Sequence, residues 1–150
     1  MVAALPISVQ IAYDLATGVG AKRIVQVGAW AALSVALARA VHTNTGGRGG
    51  LLVSTDLDGP NVVKTRAELR RAGVEEYAYL CRGDARIALQ SWEGPFDFVW
   101  LGCSAEMATD VLEILDGRLR DGAVVAGFAA QPASLGTPSR FTLAPVAGLR

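Results

Sequence analysis

One histidine and two cysteines are all that this 150-residue chain offers in imidazole and thiolate metal ligands. The cysteines, Cys81 and Cys103, form no CxxC pair and no zinc-like spacing, so a zinc ribbon or finger is excluded. They read as buried free thiols, and a reducing cytoplasm is the simplest setting for them. Net charge is also lacking, because fourteen basic residues balance fourteen acidic ones. That argues against a nucleic-acid binder driven by bulk charge. No apolar run approaches the roughly 20 residues needed to span a bilayer. The start "MVAALPISVQ" lacks the basic residues and long apolar stretch of a signal peptide. Neither nucleic acid nor membrane is therefore expected as a partner.

What the chain does have is apolar residues, 51% against 19% charged. A compact globule follows rather than disorder, and the length suits one domain with a single core. Periodicity alternates along the chain. Ile7 to Leu15 reads as a helix, stopped by Gly18 and Gly20. "RIVQV" (23–27) reads as a strand, Leu33 to Val41 as an alanine-rich helix, and "HTNTGGRGG" (42–50) as a polar loop. "LLVST" (51–55) is a second strand, followed by a helix from Pro60 to Ala72 with proline in its first turn. "YAYLC" (77–81), "FDFVWLG" (96–102) and "GAVVAGFA" (122–129) are further strands. Helices at 84–92 and 105–119 separate them, and "RFTLAPVAGL" (140–149) closes the chain as a strand or hairpin arm. Continuous apolar strands alternating with helices predict an α/β, doubly wound, Rossmann-like fold. About six mostly parallel strands would have helices on both faces. Residues 1–20 form an N-terminal helix, 21–129 the core, and 130–150 a C-terminal loop and strand or hairpin.

In such a sheet the ligand sits beyond the carboxyl ends of the strands, near the first one. The first strand ends at Gly28-Ala29-Trp30, the second at Asp56, and the third at Gly83-Asp84-Ala85. Asp56 stands where an acidic side chain accepts hydrogen bonds from ribose hydroxyls. Alternatively it caps the next helix, for which Asp58 and Pro60 also signal. Asp84 can meet an adenine edge while the Ala85 N–H donates, and it is equally a good N-cap. The two roles are compatible within one loop.

In order and spacing, "AKRIVQVGAWAALSVALA", "GLLVSTDLD", "RAELRRAGVEEYAYLCRGDARIAL", "FDFVWLG" and "GRLRDGAVVAG" resemble the class I S-adenosylmethionine-dependent methyltransferases. The likeness is to the caffeoyl-CoA and catechol type of O-methyltransferase, and it runs from Pro6 to Gly127. It implies S-adenosylmethionine as cofactor, held by Gly28, Trp30, Ser34, Asp56, Asp84 and Ala85. Gly28 matches the glycine that lets backbone approach the cofactor. Trp30 matches the loop's aromatic position, and Ser34 the hydroxyl facing the methionine carboxylate.

The departures from that pattern are specific. Ala32 replaces a glycine, and a positive φ there would cost about 1–2 kcal/mol. Gln26 replaces an acid. The family's divalent-metal ligands fall on Gly102, Phe128 and Ala129, which offer a hard cation no side-chain oxygen, so no metal is expected. The usual lysine falls on Ala105. Relatives also carry extra N-terminal helices and a longer C-terminal segment. The acceptor pocket here is accordingly expected to be shallow, rebuilt by a partner chain, or missing.

His42 as a general base and Cys103 as a nucleophile are the remaining chemical candidates. Each has a blander reading, as a helix-end cation and a small core residue. Glu106 is the carboxylate nearest the expected acceptor, and capping or solvent exposure is its alternative. No catalytic residue is assigned. Three functions follow. The first is a methyltransferase acting on a small molecule without metal. The second is an inactive methyltransferase fold serving as a binding or dimerisation module. The third is a dinucleotide oxidoreductase, which the missing GxGxxG disfavours. A homodimer is compatible with the apolar helix faces.

Overall fold

The computed structural model describes residues 7–127 and 141–145. Its elements alternate as expected: α1 (Ile7–Gly18), β1 (Arg23–Val27), α2 (Ala31–Thr45), β2 (Leu51–Asp56), α3 (Gly59–Arg71), β3 (Ala78–Arg82), α4 (Ala85–Ala88), β4 (Phe96–Leu101), α5 (Ala105–Ile114), β5 (Leu119–Gly127) and β6 (Phe141–Pro145). The five strands β1 to β5 make the body of one sheet, and β6 joins at its edge, giving the order β3-β2-β1-β4-β5-β6. All pairings are parallel. Parallel strands need crossover connections, and between β1 and β5 the helices supply them on both faces.

Two apolar layers follow from the period of two along each strand. Ile24, Leu52, Phe98 and Trp100 face α1, α2 and α3 on one side. Val25, Val53, Val99 and Leu101 face α4 and α5 on the other. All of β4 is buried, including its one charged residue, Asp97. Asp97 Oδ2 accepts the backbone N–H groups of Lys22 (2.7 Å) and Arg23 (3.0 Å), and Oδ1 pairs with Arg120 (3.3 Å). One carboxylate thus ties together the starts of β1, β4 and β5.

Several boundaries differ from the sequence expectation. The helix expected to end at Val41 continues to Thr45, and only then does Gly46 (φ 65°) turn the chain out. The weak helix formers there are held by specific bonds. Asn44 Nδ2 donates to the carbonyls of Ala16 (3.2 Å) and Ala21 (2.6 Å), and Thr45 Oγ1 to that of Val41 (2.8 Å). The helix expected over 105–119 stops at Ile114. Gly117, at φ 80°, turns the chain into β5, which begins at Leu119. Within the closing segment, Phe141–Pro145 runs parallel to β5 and is not the antiparallel arm of a hairpin with it. The proposed Phe128 and Ala129 positions and the loop at 131–139 lie outside the described residues.

Replacing Asp97 by alanine leaves two strand N–H donors and Arg120 without their acceptor. We expect a loss of about 2 kcal/mol or more. For a chain of this size that lowers Tm by about 4–8 °C, readable by thermal and denaturant unfolding. Wild-type stability in Asp97→Ala would refute the tie.

Candidate functional site

β1 ends in a turn that only glycine fits. Gly28 has φ 88°, and a Cβ there would stand 2.5 Å from the Gly102 carbonyl oxygen. Strand-like bonds continue past both strand ends, Gly28 N–H to Thr55 O and Gly102 N–H to Val27 O, each 2.9 Å. The ends of β2, β1 and β4 therefore lie abreast.

Asp56 then fixes the loop after β1. Its Oδ2 accepts the Ala29 N–H (2.9 Å) and the Asn61 side-chain amide (2.8 Å), and its Oδ1 accepts the Asp58 N–H (2.8 Å). The same Asn61 amide group also donates to the Ala29 carbonyl. Asn61 lies in the first turn of α3, so β2, its following turn and the cofactor-type loop form one hydrogen-bonded unit. The bond to Asp58 N–H is an Asx turn. It is not a helix cap, and the Asp58 side chain at the N-cap position of α3 makes no cap bond either.

Below the loop, Gln26 is fully buried. It receives the Ser34 hydroxyl at 2.7 Å and donates to the Gly28 carbonyl at 3.2 Å. Ser34 is itself fully buried, so its hydroxyl supports the loop from beneath and does not face a ligand carboxylate as expected. Ala32 lies inside α2. It has helical geometry, and the anticipated positive-φ cost does not arise.

At the third strand end, Asp84 caps α4 by accepting the Arg86 N–H at 2.8 Å. Its carboxylate is also gripped by the Arg86 guanidinium (2.7 Å), which reaches Asp110 on α5 (3.2 Å). Those Arg86 bonds hold the Asp84 carboxyl below its ordinary range. An acid so occupied serves the loop, and the expected contact to an adenine edge has to compete with it.

The strand ends enclose a cleft of about 230 Å³, lined by Gly28, Asp56, Gly83, Ala85, Gly102 and Met107 among others. Of the six residues expected to hold the cofactor, Gly28, Asp56 and Ala85 meet there. Trp30 does not. It faces a separate groove between α2 and α3. Asn61 and Met107 carried no sequence signal beyond their places on helices. Cys103 also lines the cleft, but burial pushes its thiol up to about 11, which removes the low-pKa character a nucleophilic cysteine needs. Glu106 is exposed in the first turn of α5. His42 bonds Tyr77 OH at 2.7 Å. It lies near the far end of α2, roughly 16 Å of helix from the loop, so it is no base for this cleft. Among the described residues, no group of three or more His, Cys, Asp or Glu could hold a metal ion. None of the described helices is long and apolar enough to cross a membrane.

A parallel sheet with helices on both faces and its cleft where β1 and β4 diverge defines the Rossmann-like α/β class. Within that class, residues 25–127 match the family described as Methyltransferase domain, and the chain belongs to that family. No curated protein matches it by sequence. Among solved structures it is similar to a Bacillus cereus O-methyltransferase in complex with SAH (22% identity, TM-score 0.72), covering 83% of this chain and 57% of that one. It is also similar to the Streptomyces achromogenes O-methyltransferase TomG, involved in tomaymycin synthesis and solved with SAM (24%, 0.71, covering 82% and 55%). A cofactor-bound protein from MTB is similar to the same degree (25%, 0.71, covering 83% and 56%). The chain thus spans little more than half the length of these structures.

Asn61→Ala removes both amide bonds from the loop while sparing the core. We expect about 1–2 kcal/mol of destabilisation and faster amide exchange at Ala29. Unaltered stability and exchange would show that the clamp is not needed.

Proposed function

We propose that residues 1–150 form a single S-adenosylmethionine-dependent methyltransferase domain of the O-methyltransferase type, acting on a small-molecule acceptor. One observation carries this reading, namely the cleft at the β1–β4 divergence with Asp56 on its rim. The residues present fit the cofactor. A carboxylate offers about four acceptor sites, and three on Asp56 are taken. One remains for a ribose hydroxyl. Gly83 has φ 139° and open space where a Cβ would stand, so ligand backbone or ring atoms can approach it closely. Ala85, Leu57 and Met107 supply apolar surface for an adenine ring.

When bound, S-adenosylmethionine supplies the electrophilic methyl group. The chain's own part is orientation. Gly28 and Gly102 keep the floor of the cleft free of side chains, the Asp56–Asn61 clamp holds the β1 loop still, and the Gln26–Ser34 pair supports it. A held near-attack geometry is itself a large share of such catalysis. Gly102 stands at the end of β4 with no side-chain oxygen for a hard cation, so the reading is of transfer without a divalent metal.

We further propose a cytoplasmic homodimer with no nucleic-acid or membrane partner. The two unpaired thiols, the balanced charge and the exposed apolar side chains of Tyr79 and Ile87 support this. Sedimentation equilibrium should return twice the chain mass, and a monomer at about 100 μM would contradict it.

Calorimetric titration with S-adenosylhomocysteine tests the cofactor. Binding is expected, weakened about tenfold or more in Asp56→Asn. Asn61→Ala, which keeps the carboxylate, should lose less. No heat at millimolar ligand would sink the cofactor reading, and unchanged affinity in Asp56→Asn would sink the ribose assignment.

A further inference from the structure

A second cavity lies apart from the cleft. It is a groove of about 360 Å³ between α2 and α3, on the face of the sheet that those helices cover. Its origin is visible in the sequence. Ala31, Ala32, Val35, Ala36 and Arg39 recur on one side of α2, and Asn61, Lys64 and Glu68 on one side of α3, at spacings that share a helix face. Small alanines at the crossing leave a gap that leucines would fill.

The chemistry of the walls is divided. The floor is apolar and one end is Trp30, a large ring left 38% exposed. The rim carries Arg39 and Lys64, which make no ion pair among the described residues. Glu68, the acid on the same rim, is answered by Arg71 (2.9 Å). Two cations thus stand without an ion pair on a groove that has the Trp30 ring at one end. The volume falls at the lower end of the ~300–1,000 Å³ typical of small-ligand sites, room for one or two fused rings.

We infer that the α2–α3 groove is a second ligand site, for a planar aromatic carboxylate stacked against Trp30 with its anion toward Arg39 and Lys64. Ring stacking and a charge-assisted bond to guanidinium are the interactions those groups favour. The site is joined to the cleft by Asn61, whose side chain lines the groove and holds both Ala29 and Asp56. A ligand there therefore bears on the cofactor-type loop without entering the cleft. The inference does not depend on the methyl donor.

The test is a titration of the full chain, labelled with nitrogen-15, by 2-naphthoate and by the neutral 2-naphthalenemethanol. Naphthoate should shift the Trp30 indole N–H and the Ala31 and Ala32 amides, leaving Gly83 and Gly102 unmoved. The alcohol should bind at least tenfold more weakly. The double variant Arg39→Gln with Lys64→Gln, altered only at exposed side chains, should lose at least tenfold in naphthoate affinity while retaining the wild-type spectrum elsewhere. Three results would each overturn the site: no shift at millimolar naphthoate, equal binding of acid and alcohol, or shifts confined to Gly83 and Gly102.

Discussion

The carboxylate of Asp56 is engaged from three directions by its own chain, and the geometry of the cleft depends on it. The loop after β1 makes no side-chain cap for α2, because Trp30 occupies the N-cap position and offers no acceptor. Without a cap, the loop's position has to come from elsewhere. It comes from the Ala29 N–H bound to Asp56 and from the Ala29 carbonyl bound to Asn61. Hydrogen bonds to a charged acceptor contribute about 1.5–3 kcal/mol each, enough to outweigh the ordering cost of one or two loop residues. The clamp works because Gly28 first brings the loop within reach, through a φ that other residues avoid and a contact with Gly102 that admits no Cβ.

The same bonds limit what Asp56 can do for a ligand. An acid with one acceptor position left can take one hydroxyl, not two. Recognition of a ribose must then be shared with backbone groups or with the shape of the cleft. Asp84 is restricted in a parallel way. Arg86 and Asp110 turn its carboxylate into a brace between α4 and α5. Two acids that sequence patterns mark as ligand contacts are thus first structural members of the site.

This explains what could be read from the sequence. The alternation of apolar strands and helices specified the sheet, since each strand's period of two buries both faces. The meeting of Gly28, Asp56 and Ala85 at one cleft was legible because it follows from position at a strand end. Ser34, Trp30 and Asp84 were placed less well, because their directions depend on partners far along the chain: Gln26 beneath the loop, the face of α3, and Asp110 on α5. The extension of α2 through Thr45 was hidden for the same reason. Asn44 is a poor helix former on propensity alone, and it is held by carbonyls of Ala16 and Ala21 that precede it by more than twenty residues. Ala32 was the opposite case. It looked strained by analogy with a glycine, and a helical backbone removed the strain.

Asn61 connects these threads. It is uncharged, carries no motif and sits in the first turn of a surface helix. Yet its one amide group reaches a backbone carbonyl of the β1 loop and the acid of β2, and its side chain forms part of the α2–α3 groove. A shift of α3 against α2 cannot leave that amide in place, because hydrogen bonds weaken steeply with misalignment. The spacing of the two helices and the posture of the cleft loop are therefore one variable. The small residues Ala31, Ala32 and Ala36 line the α2 side of that groove, where larger side chains would press α3, and Asn61 with it, away from α2.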